Sequence, residues 1–309
     1  MTAALLASIL VTFPAERQRL PVTERAYVIG AADTNKKERL YLNGVEVDVY
    51  RTGAFLAMVK THPGTNTLDF TQGTNTLTRS FVVASPPPSS SSSSVNVETP
   101  KPRNSYEDLG IPTNAVFAAR PPKGSRPSDV HVVVDAGHGG KDSGALSPMG
   151  FKEKDFNLLQ AESLAEELKR AGFKVTMTRH NDSFRSLYDR PKLAVRQKAD
   201  LFISIHHNAT GIGGNPRESR HTVTYASNEA GLALATAIQR QVGHAVLPVK
   251  DNGAKIMSLA VCRNPAVPSC LVEVDFINLP EGEEASQDPV RRKHVSKAIV
   301  MGVLDWMAE

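Results

Sequence analysis

Residues 130–144 read Val-His-Val-Val-Val-Asp-Ala-Gly-His-Gly-Gly-Lys-Asp-Ser-Gly, a β-branched run that ends in a Gly-rich turn carrying His138. A second histidine, His206, follows Leu-Phe-Ile-Ser-Ile; Glu273 lies in Leu-Val-Glu-Val-Asp-Phe, and Glu153 opens a helical pattern. Short apolar runs of this kind predict buried strands, and ligands of open α/β sheets bind outside the carboxyl ends of such strands. Two imidazoles and a carboxylate converging on one rim make a three-ligand zinc site whose fourth position is open to water, the pattern of catalytic rather than structural zinc. The four residues are far apart in the chain, so spacing alone does not select this reading. A histidine in a Gly-rich turn is equally a turn residue, and Glu153 is equally a first-turn carboxylate favoured by the helix dipole.

The elements that must position these groups follow from the periodicity. After Val130 the pattern alternates strand and helix: a helix over 153–171 stopped by Gly172, strand 175–178, helix 187–198, strand 201–205, strand 222–226, helix 230–242, strand 271–275 and a closing helix over 289–307. This alternation predicts an α/β domain with a largely parallel sheet and helices on both faces, over residues 129–309.

Residues 14–84 read as all-β, with short runs near 26–29, 40–42, 45–50, 55–59, 67–70 and 81–83 separated by turn residues. Asn43-Gly44 between two such runs predicts a hairpin with a type I′ turn, because both central residues of that turn need positive φ. The strand rhythm resembles the bacterial Ig-like modules attached to secreted enzymes, which implies a small β-sandwich acting as a spacer or wall-binding module. Between the two lies Ser-Pro-Pro-Pro followed by six serines, too poor in apolar groups to offset the entropy of ordering. Residues 85–128 therefore read as linker and docking tail, with Leu109, Ile111, Val116 and Phe117 able to meet the second domain.

Composition sets the outer limits. The 309 residues suggest two domains, and a net charge of +4 favours an anionic partner such as a cell-wall polymer, a membrane surface or nucleic acid, without choosing among them. No basic stripe interleaved with aromatics is present, so nucleic acid is not expected as a partner. No apolar run is long enough for a membrane span; the candidate at 295–307 contains Lys297 and Asp305. The first thirteen residues are apolar like the core of a signal peptide, yet the first basic residue is Arg17, so export signal and structural segment both fit. Cys262 and Cys270 allow one short-loop bridge and no disulfide framework.

Five ordered stretches add a family likeness. Asp-Ala-Gly-His-Gly-Gly at 135–140, Glu-Lys-Asp-Phe-Asn-Leu at 153–158, Thr-Arg at 178–179, Ala-Asp-Leu-Phe-Ile-Ser-Ile-His at 199–206 and Leu-Val-Glu at 271–273 resemble the zinc-dependent N-acetylmuramoyl-L-alanine amidases of the AmiC-like class. The resemblance implies that His138, Glu153 and His206 bind one zinc ion and that Glu273 is the catalytic carboxylate. It further implies cleavage of the lactyl amide between N-acetylmuramic acid and L-alanine of peptidoglycan, hence a periplasmic, envelope or secreted location. Strand alternation sends His206 and His207 to opposite sides, leaving His207 as support, and Asp275 is the second candidate for the base. Arg263 and Asn208 are candidate substrate contacts. Members of that family held shut by a long helix after the second histidine differ from this chain, where residues 209–221 are too few for one; no activator protein is expected. The rival readings are a zinc peptidase acting within the stem peptide and a non-catalytic cell-wall binder.

Overall fold

The computed structural model describes residues 9–34, 38–87, 120–122, 124–264 and 266–309. Most of the predicted linker, including Leu109, Ile111, Val116 and Phe117, lies outside the described residues, as do residues 1–8. At the far end of that stretch Arg120 lies over the ring of Trp306, 5.4 Å from its centroid.

The amino-terminal part contains β1 (Leu10–Phe13), β2 (Gln18–Leu20), β3 (Arg25–Ala31), β4 (Leu40–Leu42), β5 (Val45–Val47), β6 (Ala54–Lys60), β7 (Gly64–Gln72) and β8 (Asn75–Val83). They form a three-stranded sheet, β1-β3-β6, and a five-stranded sheet, β2-β8-β7-β4-β5. Val28 and Phe55 from the first meet Leu40, Leu68, Phe70 and Phe81 from the second in one shared core. Asn43 and Gly44 have φ of +50° and +78°, as the type I′ turn between β4 and β5 requires. Two boundaries differ from expectation. Residues 10–13 are a strand paired antiparallel with β3, so the domain starts before residue 14. The strand expected over 45–50 ends at Val47, with Val49 held only by a bridge to Phe55.

The second part runs β9 (His131–Ala136), α1 (Glu153–Arg170), β10 (Lys174–Met177), α2 (Asp189–Arg196), β11 (Leu201–Asn208), α3 (Pro216–Ser219), β12 (His221–Ala226), α4 (Glu229–Ala245), β13 (Lys250–Ile256), β14 (Ser269–Phe276), α5 (Pro280–Gln287) and α6 (Pro289–Ala308). Its sheet has the order β10-β9-β11-β14-β12-β13. Every neighbouring pair is parallel except β14 and β12, which makes the sheet mixed rather than wholly parallel.

Both faces are covered, but unequally. On one, Val132, Val134, Ile203, Ile205, Val272 and Val274 pack against Leu164 and Leu168 of α1, Ile238 and Val242 of α4, and Ile299 and Trp306 of α6. On the other, Val133, Phe202 and Leu271 meet a smaller set that includes Ala194 of α2, Ala199, Val267, and Val261 and Cys262 of a short 3-10 turn. Burial on both faces explains why the central strands read as continuous apolar runs. Helix starts are set by Asn228, whose side chain accepts from the Gly231 amide at 2.9 Å, and by Asp288, which accepts from the Val290 amide at 2.8 Å. Cys262 and Cys270 are free, buried thiols, so the short-loop bridge is not made; burial pushes both thiols up, which keeps them unreactive.

The sheet β1-β3-β6 also has two covered faces. Its outer side packs Tyr27, Ile29 and Leu56 against Phe276 and Leu279 of the second domain.

Candidate metal centre

His138, Glu153 and His206 come together at the carboxyl ends of β9 and β11. The register sets this: Ile205 pairs with Ala136 in parallel, so the residues just beyond, His206 and the turn 137–140, lie side by side. Each of the three residues offers a ligand atom within 4.8 Å of the other two. His138 Nε2 and His206 Nδ1 stand 3.1 Å and 3.0 Å from the same oxygen, Glu153 Oε1. Donors about 2.0–2.1 Å from a tetrahedral zinc ion stand roughly 3.3 Å apart, close to the two separations from Glu153 Oε1, so the donor set is of the kind that fits that ion.

The surroundings are built for these side chains. A Cβ on Gly137 would stand 2.2 Å from His206 Nε2, and one on Gly144 would stand 2.5 Å from Glu153 Oε2. His138 itself has φ of +60°, an uncommon conformation for a non-glycine residue that persists only where the surroundings enforce it. Two buried arginines do so. Arg190 donates to the Ala136 and His138 carbonyls at 2.8 and 2.7 Å, and Arg179 to the Ala136 and Gly137 carbonyls at 2.9 and 2.8 Å. Arg190 is paired with Asp135 at 2.8 Å, and that carboxylate also accepts from Thr178 and Ser204. Replacing Arg190 by Met would leave Asp135 charged and buried without its partner, a change that costs about 3–5 kcal/mol. Urea unfolding followed through the single tryptophan, Trp306, is the measurement; a loss below about 1 kcal/mol would show the pair is not needed.

Charge follows the same arrangement. Burial opposes protonation of His138, but the hydrogen bond and charge of Glu153, with Asp142 2.9 Å from Nδ1, push it up to about 9. A cation bound here takes the place of that proton. Burial works to raise the Glu153 carboxyl; its bonds to His138 and His206 and their charges outweigh this and hold it well below the usual carboxylate range. Glu153 Oε2 accepts from the Ala145 amide at 3.0 Å, and Oε1 from Asn157 Nδ2 at 3.1 Å. Asn157 is one helical turn beyond Glu153 on the same face, the signal by which the sequence could have shown it. It also contacts His207 Nδ1 at 2.9 Å. His207 is buried against Phe156, and burial pushes it down to about 4, so it stands neutral on the far side from His206 as strand alternation requires.

Glu273 sits beside His206 in the parallel register of β11 and β14. Its Oε2 is buried with no hydrogen-bond partner among the described residues. Burial raises its carboxyl to about 7, with the two histidines opposing and the Glu153 charge adding. An unsatisfied carboxylate oxygen next to three clustered donors is what a missing cation or water would satisfy. From here a cleft of about 410 Å³ opens, with Glu273, His206 and Asn208 at its polar end and Leu187, Tyr225, Met257 and Leu259 along its walls. A slightly larger cleft, about 440 Å³, lies in the amino-terminal domain between β4, β5 and β6, but it holds no histidine or cysteine and no carboxylate besides Glu46.

The other candidates divide. Asn208 lines the cleft, with its Oδ1 accepting from the Ala209 amide at 2.8 Å. Arg263 lies off it, with its guanidinium donating to Ser258 Oγ and carbonyl at 3.0 and 2.9 Å. Asp275, the second candidate for the base, is overturned: it is fully buried and held at 2.9 Å by Arg220 and at 2.8 Å by Arg291. It cannot reach the cluster and stay paired.

A mixed, largely parallel sheet that gathers two histidines and a glutamate at the carboxyl ends of its central strands makes an α/β domain with a candidate metal-binding rim. Residues 132–305, more than half of the chain, match the family described as N-acetylmuramoyl-L-alanine amidase. The chain belongs to this family. It is similar to the "Probable cell wall amidase LytH" of Staphylococcus epidermidis, 30% identical over 205 residues that cover 66% of this chain and 65% of that one. The chain thus spans just under two thirds of that curated relative. It is similar as well to the N-acetylmuramoyl-L-alanine amidase AmiA of Escherichia coli, 30% identical over 57% of this chain and 75% of the relative. Among solved structures, the amidase AmiC2 of Nostoc punctiforme superposes with a TM-score of 0.55 at 30% identity, covering 58% of this chain and 98% of that one.

Proposed function

We propose that the protein is a zinc-dependent peptidoglycan hydrolase that cleaves the amide between N-acetylmuramic acid and the L-alanine of the stem peptide, and so works in the periplasm, envelope or medium. The observation that carries the reading is the juxtaposition of an unpartnered, buried Glu273 oxygen with the donor trio His138, Glu153 and His206. Family membership supports the choice of bond. His138, Glu153 and His206 would hold a zinc ion, which when bound would supply polarisation of the scissile carbonyl and a water whose pKa falls from about 15.7 to about 7. Glu273 then accepts the proton of the attacking water and returns it to the departing nitrogen, general base first and general acid second. The place of Glu273 beside His206, at the polar end of the cleft, supports both halves of that task. Asp142 and Asn157 keep the ligands oriented from behind. The apolar cleft walls, with Leu187 and Met257 exposed at the mouth, receive the uncharged methyl groups flanking the scissile amide. Within residues 209–221 the helix that follows His206 is the four-residue α3, which supports the reading that no long helix of this segment covers the site.

Labelling of the amino termini released from purified peptidoglycan by the purified chain alone tests this. New L-alanine termini are expected. Termini from within the stem peptide would establish the peptidase instead, and binding without any release would establish the wall binder or the need for a partner.

A second carboxyl gives a stability prediction away from the metal centre. Glu283 of α5 accepts from the Met149 amide at 2.8 Å, and burial raises it to about 7. A carboxyl raised in the folded state costs nothing well below its unfolded pKa; the cost grows as pH rises from about 4.5 to about 7 and is constant above. Glu283→Gln is therefore expected to gain stability relative to wild type between pH 4.5 and 8, by about 3 kcal/mol. Urea unfolding at the two pH values checks it; an equal difference at both would contradict it.

A further inference from the structure

We infer that the amino-terminal β-domain is a brace for the metal centre, gripping at once the three segments that carry Glu153, His206 and Glu273. This rests on the ligand and base assignments above and not on the identity of the substrate. Along β3, Ala26 and Val28 enter the sandwich core while Tyr27 and Ile29 face the second domain; along β6, Phe55 enters the core while Leu56 and Met58 face outward. These four outward side chains pack on Phe276 and Leu279, the first of which lies three residues beyond Glu273. After Arg25, the run 26–31 is apolar without alternation, the pattern of a strand buried on both faces, so the docking face is written into the sequence.

Polar contacts extend the grip to the other two segments. Thr12 Oγ1 donates to the Pro148 carbonyl at 2.6 Å, in the turn that also bonds Glu153: the Ala145 amide meets Glu153 Oε2, and the Glu153 amide meets the Ala145 carbonyl at 2.9 Å. Arg25 Nε donates to the Gly213 carbonyl at 2.9 Å, in the loop that follows β11 and its His206. The ends of β11 and β14 are tied to each other by the Ile277 amide on the Asn208 carbonyl at 2.9 Å. Tyr50 and Arg51 both meet Glu284 Oε2, at 2.9 and 2.6 Å, and close the rim of the contact. A tethered spacer would need none of these contacts, and free in solution it would expose four large apolar side chains on one sheet face.

Amide hydrogen exchange of the full chain, read together with zinc affinity, tests the inference without needing turnover. In wild type, residues 145–150, 209–214 and 276–279 are expected to be protected. Leu56→Glu, placed outside the sandwich core, is expected to speed exchange at least tenfold in all three segments and to weaken zinc binding tenfold or more, the scale of losing support behind metal ligands. Arg25→Ala is expected to speed exchange at 209–214 alone, and Val45→Glu, exposed on β5, to change nothing in the three segments. If β7 and β8 also lose protection in Leu56→Glu, the sandwich itself has opened, and Met58→Ser with Arg25→Ala decides by the same readings. The inference is overturned if the three segments exchange as fast in wild type as in the undocked variant, or if they loosen while zinc affinity stays within twofold. A wild type that binds zinc but releases no amino termini would overturn the proposed function as an activity of the chain alone and leave this result standing.

Discussion

Glu273→Gln is expected to lower kcat by about 10²–10⁴-fold, the usual worth of a positioned general base, while the protein binds zinc as wild type does. The substitution keeps the volume and the hydrogen-bonding length of the side chain, so the cleft and the neighbouring strands β11 and β14 have no reason to shift. What it removes is the capacity to take and return a proton, and that loss falls on the transition state alone, about 3–5.5 kcal/mol in the barrier. KM should therefore change little. Steady-state kinetics with metal analysis of the same sample checks both halves. Equal loss of zinc and activity would make Glu273 a ligand; full activity would remove it from the chemistry.

His138→Ala is expected to abolish zinc binding and activity together. Two donors remain, Glu153 and His206, and a two-donor site cannot hold zinc in the tetrahedral arrangement with one open position. The loss should exceed the 10–100-fold that follows removal of a residue behind a ligand. Backbone strain is a separate effect, because His138 stands at φ of +60°, where alanine is disfavoured. His138→Asn separates the two: asparagine tolerates that conformation but reaches less far. If His138→Asn folds with wild-type stability and still lacks zinc, the ligand role stands. Retention of stoichiometric zinc by either variant would contradict it.

Much of the centre was legible because parallel strands convert sequence pattern into spatial order. His138 and His206 are far apart in the chain, yet each follows a β-branched run, and neighbouring parallel strands end at one rim. The opposite facing of His206 and His207 followed from strand period alone, and the structure bears it out. Asp275 misled for a related reason: counting by two from Glu273 ignores the pull of Arg220 and Arg291, which sit in distant elements and claim the carboxylate. Arg190 and Arg179 were not predicted as buried supports, since arginine usually lies outside; their burial is justified only by carbonyls of the 136–138 turn that no local pattern reveals.

Other misses have physical causes too. β13 reads Lys-Asp-Asn-Gly-Ala-Lys-Ile, an edge strand with mostly exposed side chains and no apolar alternation to announce it. α5, Pro-Glu-Gly-Glu-Glu-Ala-Ser-Gln, is rich in turn residues, and its Gly282 is required because a Cβ there would meet the Phe276 carbonyl at 1.9 Å. Residues 10–13 lie in an apolar stretch that fits a signal core and a strand equally, and in the structure they pair with β3.

The most direct test of the account is a zinc titration of metal-stripped wild type and Glu273→Gln, with L-alanine amino termini counted at each point. The account predicts that wild-type activity rises linearly and breaks at one zinc per chain, while Glu273→Gln takes up the same single ion and stays inactive. Undiminished release by the stripped wild type, or no zinc uptake by either protein, would contradict it.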